Sequence, residues 1–536
     1  MTKSAHSSSA PSPNQRMITV NEETLLLPKS TESLKYQPEQ DDNEAADTDN
    51  DDKDESYYHF DLIKEQLLER SDRFTLMYDV DRGYRAKEVR FFSFKRPHMR
   101  AFHASWICCF TSFFVQFSQA PLLPEIKNSL NLTNADIWWT NLWMMVGGVP
   151  MRFLLGPLCD KYGSRTMMVT VVALAAIPCA LTGYVAVDVT SLTAMRFLLG
   201  AMDSFVPSQC WITCQFVREV GGTAMAVTGG LGASGAGVTQ LVTGSLIFPF
   251  FLYLSDNDTD WAWRVTLIFP ALLALVVAWF FYRYSDDCPL GNFDEVKKAG
   301  LMMERSAVDS FRAGVYNLNS WILGAQFAGS CGVDFTMCNG AALFFHFRFH
   351  QSVAASGAMA FMYGISAIYA RGIGGWLSDA VDKKWSLRGR LWAQLVCMLV
   401  QGGLNIWFAR TTSLVPSLLI MVVWSIVIQM SMGTNFGIVP YVDSPNTGSV
   451  AGIVGAGGNF GGALLGMSAI SSLSTHPCNR ITLTFVFLFN FLCSWFVHVG
   501  GALRSGDGIH GVVYCLHRSF DALLVDPWLP GHLVRH

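Results

Sequence analysis

Long apolar runs recur along residues 102–501, separated by short polar connectors, and each run is long enough to cross roughly 30 Å of hydrocarbon as a helix. The pattern predicts twelve spans, over about 102–124, 138–159, 166–187, 192–216, 222–252, 263–283, 319–345, 355–378, 390–409, 413–436, 448–472 and 481–501. The roughly ten-residue alternating segments of a membrane β-barrel do not occur. The longest and most charged connector, 284–317, divides the spans six and six. The expected fold is an all-α polytopic membrane protein built from two six-helix halves, 101–283 and 318–502.

Composition agrees with burial in a bilayer, since the 536 residues are 51% hydrophobic and only 15% charged. Residues 1–57, ending in the acidic run Asp41 to Glu55, have the composition of a disordered tail, here placed in the cytosol. A juxtamembrane segment, 58–100, follows, and 503–536 form a C-terminal tail. The N-terminal stretch lacks the charged and apolar regions of a signal peptide. Glu22 to Leu27 resembles an acidic dileucine sorting signal. Lys and Arg cluster at 95–100, 161–165, 297–312 and 383–390, all on one side if both ends are cytosolic. The sequons at Asn131 and Asn257 fall in loops on the opposite side, where glycosylation occurs.

The net charge of −4 and the lack of a dense basic block exclude a nucleic-acid partner. Most of the 13 cysteines lie inside apolar runs and read as small hydrophobes; Cys210 and Cys214, four apart, read as packing. No CxxC pair, nucleophile with base, or phosphate loop points to a metal, a cofactor or an enzyme.

Two units repeat. Arg152-x3-Gly156-x3-Asp160 in the second span matches Arg371-x3-Gly375-x3-Asp379 in the eighth. Each is followed by a glycine-rich span, Gly229 to Gly237 in the fifth and Gly452 to Gly462 in the eleventh. Such an architecture places substrate near the midplane, between halves that rock against each other. Asp160 with Lys161 and Arg165, and Asp379 with Lys383, suit a charge latch at the inner face; the alternative is an ordinary positive-inside loop.

An arginine within a span costs several kcal/mol unless it faces a cavity or partner, so Arg152 and Arg371 are candidate ligands. Asp334 is read as the single mid-span counter-ion, which leaves surplus positive charge and predicts an anionic substrate. Planar guanidinium donors match a flat oxyanion such as nitrate, nitrite or a carboxylate. Glycine allows close helix crossing and exposes backbone to a small ligand, which makes Gly457 and Gly458 candidates. Asn459 and Asn339 supply amide donors, to a ligand or between helices. Phe113 and Phe117 share a face of the first span with Phe110, lining a pore or packing outward. By position Asp334 is the candidate proton carrier.

These residues resemble the nitrate/nitrite porter family of the major facilitator superfamily, in particular its eukaryotic high-affinity nitrate transporters. The resemblance runs over about 101–500 and rests on Arg152 to Asp160, Val238 to Leu241, Ala370 to Asp379, Gly437 to Pro440 and Ala451 to Gly461. It implies the major facilitator fold, Arg152 and Arg371 as paired nitrate ligands, Asn459 in the pathway, and alternating access. It further implies coupling to protons or nitrate/nitrite exchange, residence in the plasma membrane, and a small accessory membrane subunit as in some relatives. An internal store such as the vacuole is the alternative the dileucine-like stretch suggests. In the fifth span the family's Gly-Trp-Gly-Asn-Leu-Gly-Gly-Gly is replaced by Gly230-Leu231-Gly232-Ala233-Ser234-Gly235-Ala236-Gly237, which bears on substrate preference. A monocarboxylate carrier and a non-transporting sensor are the remaining alternatives.

Overall fold

The computed structural model describes residues 74–298, 306–351, 353–443 and 446–473. The twelfth expected span, the tails 1–57 and 503–536 and the dileucine-like stretch lie outside the described residues. A two-stranded hairpin, β1 (Tyr78–Asp79) with β2 (Arg85–Ala86), precedes the helices, and the Val217 amide donates to the Ala86 carbonyl at 3.0 Å.

The first half is built from α1 (His98–Gln116), α2 (Leu123–Ser129), α3 (Asn134–Tyr162), α4 (Ser164–Val185), α5 (Val189–Ala201), α6 (Phe205–Gln215), α7 (Arg218–Leu241), α8 (Phe248–Leu254), α9 (Thr259–Thr266) and α10 (Ile268–Tyr284). Two short helices, α11 (Phe293–Lys298) and α12 (Ala307–Tyr316), lie in the connector. The second half contains α13 (Leu318–Phe349), α14 (Val353–Gly364), α15 (Ala367–Arg410), α16 (Leu414–Val442) and α17 (Thr447–Leu473).

Eight helices among the described residues are long and apolar enough to cross a membrane; one, Ala355–Arg410, covers two expected spans through a break at Ser386, where φ is 51°. The expected seventh span, α13, is diluted by Asp334 and Asn339. The expected fourth is broken at Met202–Ser204 into α5 and α6, neither of which alone could span. That break carries Asp203 and positions it in the site.

The apolar surface is turned outward as lipid requires: Leu154, Ile177, Leu272, Val276, Val396 and Leu419 are exposed. Tyr184, Tyr253, Tyr282 and Trp385, near helix ends, supply interfacial rings. The interior is polar by comparison, with Gln116, Asn141, Gln401, Asn405 and Asn435 all buried. The halves meet where α17 packs on α3 and where α7 packs on α15. At Gly156 a Cβ would overlap the Gly448 carbonyl, and at Gly230 the Ala367 carbonyl, so backbone meets backbone at both crossings.

Candidate anion-binding site

Arg152 on α3 is fully buried. Its Nε donates to Asp203 Oδ2 at 3.0 Å, its Nη2 donates to the same oxygen, and its Nη1 donates to the Gly455 carbonyl at 2.6 Å. The other carboxylate oxygen, Oδ1, accepts the Phe205 amide at 2.8 Å, so Asp203 serves the start of α6 as well. This corrects the expectation that Asp334 alone counters both arginines. The polar Asp203-Ser204 pair directly before α6 is a helix-start pattern, but the apolar run around it reads as one continuous span.

Arg371 on α15 has a looser pairing. Its Nη2 lies 3.7 Å from Asp334 Oδ2, while Gln429 accepts from Arg371 Nε at 2.9 Å and donates to Asp334 Oδ1 at 3.0 Å. Arg371 Nη1 donates to the Gly229 carbonyl at 3.1 Å. Each repeat-unit arginine thus bonds a carbonyl in the glycine-rich helix of the opposite half, and each has one carboxylate.

A single ring faces both cations. The guanidinium carbons of Arg152 and Arg371 lie 5.4 and 6.0 Å from the centroid of Phe205, which also stacks on Phe327 and meets Phe436 edge-on. Phe335 lies 5.4 Å from Arg152 and contacts Phe113 and Phe117, which stack on each other at 6.1 Å. The structure therefore brings Phe113 and Phe117 to the Arg152 collar through Phe335, whereas Phe110 pairs with Phe114. An apolar collar excludes water and strengthens every charge interaction inside it.

Asn459 is buried against Gly148, and neither atom of its amide has a hydrogen-bond partner among the described residues. Asn339 stands apart from the two clamp arginines: its Oδ1 accepts from Arg196 Nη2 at 3.2 Å and its Nδ2 donates to the Phe335 carbonyl at 3.1 Å. Gly457 and Gly458 sit at the crossing with α13, against the Gly324 carbonyl and Cys331. Arg196 itself, buried within α5, was not singled out from sequence because the repeat does not contain it, although the insertion cost that marks Arg152 applies equally.

At the basic-loop face, Asp160 accepts from Ser310 Oγ at 2.7 Å and lies against Gly448, in the first turn of α17. Asp379 accepts from the Thr223 amide at 2.7 Å and Thr223 Oγ1 at 2.5 Å, in the first turns of α7. Each aspartate faces the N-terminal, positive end of a helix from the other half. The basic partner of Asp379 is the buried Arg390 at 2.6 Å, which also pairs with Asp382 at 3.0 Å; Lys383 is exposed. Lys161 lies over the Tyr162 ring, and Arg165 reaches Asp287, at the start of the connector, at 3.5 Å. Burial pushes the Asp287 carboxyl above its ordinary range, opposed by the charge of Arg165 and by backbone amides.

Asn131 and Asn257 are both exposed near one face, where Trp263 Nε1 donates to Ser129 Oγ at 3.2 Å, Ser129 Oγ donates to Asp260, and the two loops meet. Among the described residues no cluster of His, Cys, Asp and Glu is built to hold a metal.

Residues 105–466 match the Major Facilitator Superfamily. The chain is 34% identical over 440 residues to the high affinity nitrate transporter 2.7 of Arabidopsis thaliana, covering 79% of this chain and 88% of that protein. It is 32% identical to the high-affinity nitrate transporter 2.3 of Oryza sativa subsp. japonica, covering 72% and 74%. The nitrate/nitrite transporter NrtP of a Picosynechococcus strain is 23% identical, covering 67% and 82%. Among solved structures, the proton:xylose symporter XylE aligns with a TM-score of 0.55 at 12% identity, covering 74% of this chain and 95% of that one. A bacterial homolog of the human lysosomal transporter Spinster, inward-facing and unoccupied, aligns at 0.53 and 15% identity, covering 75% and 96%. Sequence and fold together place the chain: it belongs to the nitrate/nitrite porter family of the major facilitator superfamily.

Proposed function

We propose that this protein carries nitrate, with nitrite as a second substrate, across a membrane by alternating access, the anion being held between Arg152 and Arg371. The observation that carries this reading is the pair of buried arginines facing one phenylalanine ring, each bonded to a glycine carbonyl of the opposite half. A flat anion accepting from both guanidiniums would tie the halves together, and its departure would let them part. The names of the relatives as nitrate transporters support the same substrate.

Binding must displace what the arginines already hold. Nitrate entering at Arg371 takes donors now shared by Gln429 and Asp334, and the released Asp334 carboxylate, buried without its cation, takes a proton. Asp334 is the better carrier of the two acids because its arginine is 3.7 Å away, against the direct two-nitrogen grip on Asp203. Proton uptake also answers the energetics, since an inside-negative membrane opposes anion uptake by about 2.3 kcal/mol per 100 mV.

With the Asp160 and Asp379 face in the cytosol, these aspartates hold the inner ends of the halves together through helix N-termini, with Arg390 fixing Asp379 within its own half. The plasma membrane is the proposed location, and a small accessory membrane subunit the proposed partner. The deciding experiment measures labelled nitrate uptake and nitrate-evoked current in oocytes for wild type, Arg152→Lys and Arg371→Lys at matched surface expression. Loss of apparent affinity or flux in either variant supports the clamp; a surface-expressed wild type that moves neither nitrate nor nitrite refutes the function.

A further inference from the structure

We infer that Arg196, with Asn339 and Asn141, forms a second anion site on the sequon-bearing side of the clamp, taking one small monovalent oxyanion before it reaches Arg152. The inference rests on the anion-transport reading above and adds a site to it.

The charge balance points there first. Arg152 is matched by Asp203 and Arg371 by Asp334, whereas Arg196 forms no ion pair among the described residues. It is 1% exposed, and its Nε and Nη1 have no hydrogen-bond partner. Only Nη2 is engaged, by Asn339 Oδ1 at 3.2 Å and Met144 Sδ at 3.3 Å. A buried guanidinium with two idle donors and a neutral amide for company is a site that an anion completes.

Position along α3 gives the site its role. Asn141, Met144, Gly148 and Arg152 follow one another at one-turn intervals along this helix. Asn141 is buried with both amide atoms unpartnered; Met144 carries Arg196; Gly148 carries Asn459, whose amide is also unpartnered; Arg152 is the clamp. Arg196 thus meets α3 at Met144, eight residues or about 12 Å of helical rise outward of Arg152, with Gly148 and the Asn459 amide midway. Asn339 approaches from the second half, so the site lies between the halves, and Trp138 closes over Gly340 beside it. The order suits a relay in which Arg196 attracts the anion, the Asn459 amide carries it past the midpoint, and Arg152 receives it against Asp203.

The discriminating variant is Asn339→Asp, which gives Arg196 a carboxylate in place of an amide and fills the site from within. At matched surface expression, apparent KM for external nitrate is expected to rise about tenfold or more, with a smaller fall in Vmax. Arg196→Gln should act alike and serves if Asn339→Asp does not reach the surface. A structural role predicts the reverse: Asn339→Asp would satisfy the arginine and leave KM as in wild type, which would overturn the inference.

A binding measurement separates this site from the transport reading. Thermal unfolding of the purified full-length Arg371→Gln protein, whose clamp is broken, is followed with sodium nitrate, nitrite, formate and chloride. Stabilisation by at least one anion that disappears in Arg371→Gln/Asn339→Asp supports the outer site, even where the effective anion is not nitrate and the proposed substrate falls. No stabilisation by any of the four, or equal stabilisation in the double variant, overturns it.

Discussion

Asp203→Asn tests most directly whether the clamp arginine exchanges one anion for another. In the resting protein Asp203 Oδ2 accepts from Arg152 Nε at 3.0 Å and from Nη2, with both residues 1% exposed. At about 3 Å and an effective dielectric near 20, the attraction is about 5 kcal/mol, an upper bound before desolvation is counted. Asparagine keeps an oxygen for the Phe205 amide, so the start of α6 persists while the charge is lost. Breaking a buried pair from one side costs about 3–5 kcal/mol, because the remaining ion is stranded. The variant is therefore expected to unfold at lower temperature than wild type in an inert salt.

Nitrate should reverse that loss. If the anion occupies the place that the carboxylate vacates, it meets an arginine with no competitor, and a charged hydrogen bond of about 1.5–3 kcal/mol converts to roughly ten- to hundredfold tighter binding. The assay is nitrate titration of purified wild type and Asp203→Asn by thermal unfolding, read as the concentration giving half the maximal rise. Tighter binding should come with slower turnover, since Arg152 then lacks the internal anion that helps expel the substrate. Equal or weaker stabilisation of a folded Asp203→Asn by nitrate would refute the exchange and leave the Arg152–Asp203 pair as structural glue.

Three further outcomes are expected. Asp379→Ala should cost about 1–3 kcal/mol of stability, because the Thr223 amide loses its acceptor and Arg390 loses one of its two carboxylates while Asp382 keeps the other, whereas Lys383→Ala should stay within about 0.5 kcal/mol; chemical denaturation of the purified variants compares them. Gly457→Val should lower the yield of folded protein in detergent, because its side chain enters the Gly324 carbonyl, and overpacking costs about 1–3 kcal/mol or more. Phe205→Leu should keep the fold but weaken nitrate binding several-fold, since the ring facing both guanidiniums contributes about 0.5–2 kcal/mol to their placement; uptake kinetics at matched expression read the change.

What sequence made legible is the part that the chain says twice. Span length, the six-plus-six division and the matched Arg-x3-Gly-x3-Asp units are periodic or repeated, and a repeat can be read without coordinates. The carbonyl contacts of Arg152 and Arg371 are the physical expression of that repeat, each reaching the other half's glycine-rich helix. Asp203 was hidden because a continuous apolar run was read as one helix, while Met202–Ser204 leaves helical geometry and turns the carboxylate onto Arg152. Arg390 was hidden for a related reason: the Ser386 break folds the chain back so that a residue eleven positions beyond Asp379 becomes its neighbour.

The unmatched feature is the informative one. Among the described residues the second half offers no helix-borne arginine answering Arg196; the polar group it meets there is Asn339, a neutral amide. Two arginine–aspartate pairs and one unpaired arginine leave the described interior of the membrane domain with a single surplus positive charge near the site. One monovalent anion neutralises it. A symmetric clamp can hold an anion with equal ease from either side, but a lone cation displaced about 12 Å toward one face biases where the anion first lodges. Direction of loading, on this reading, is set by the element that the duplication lacks.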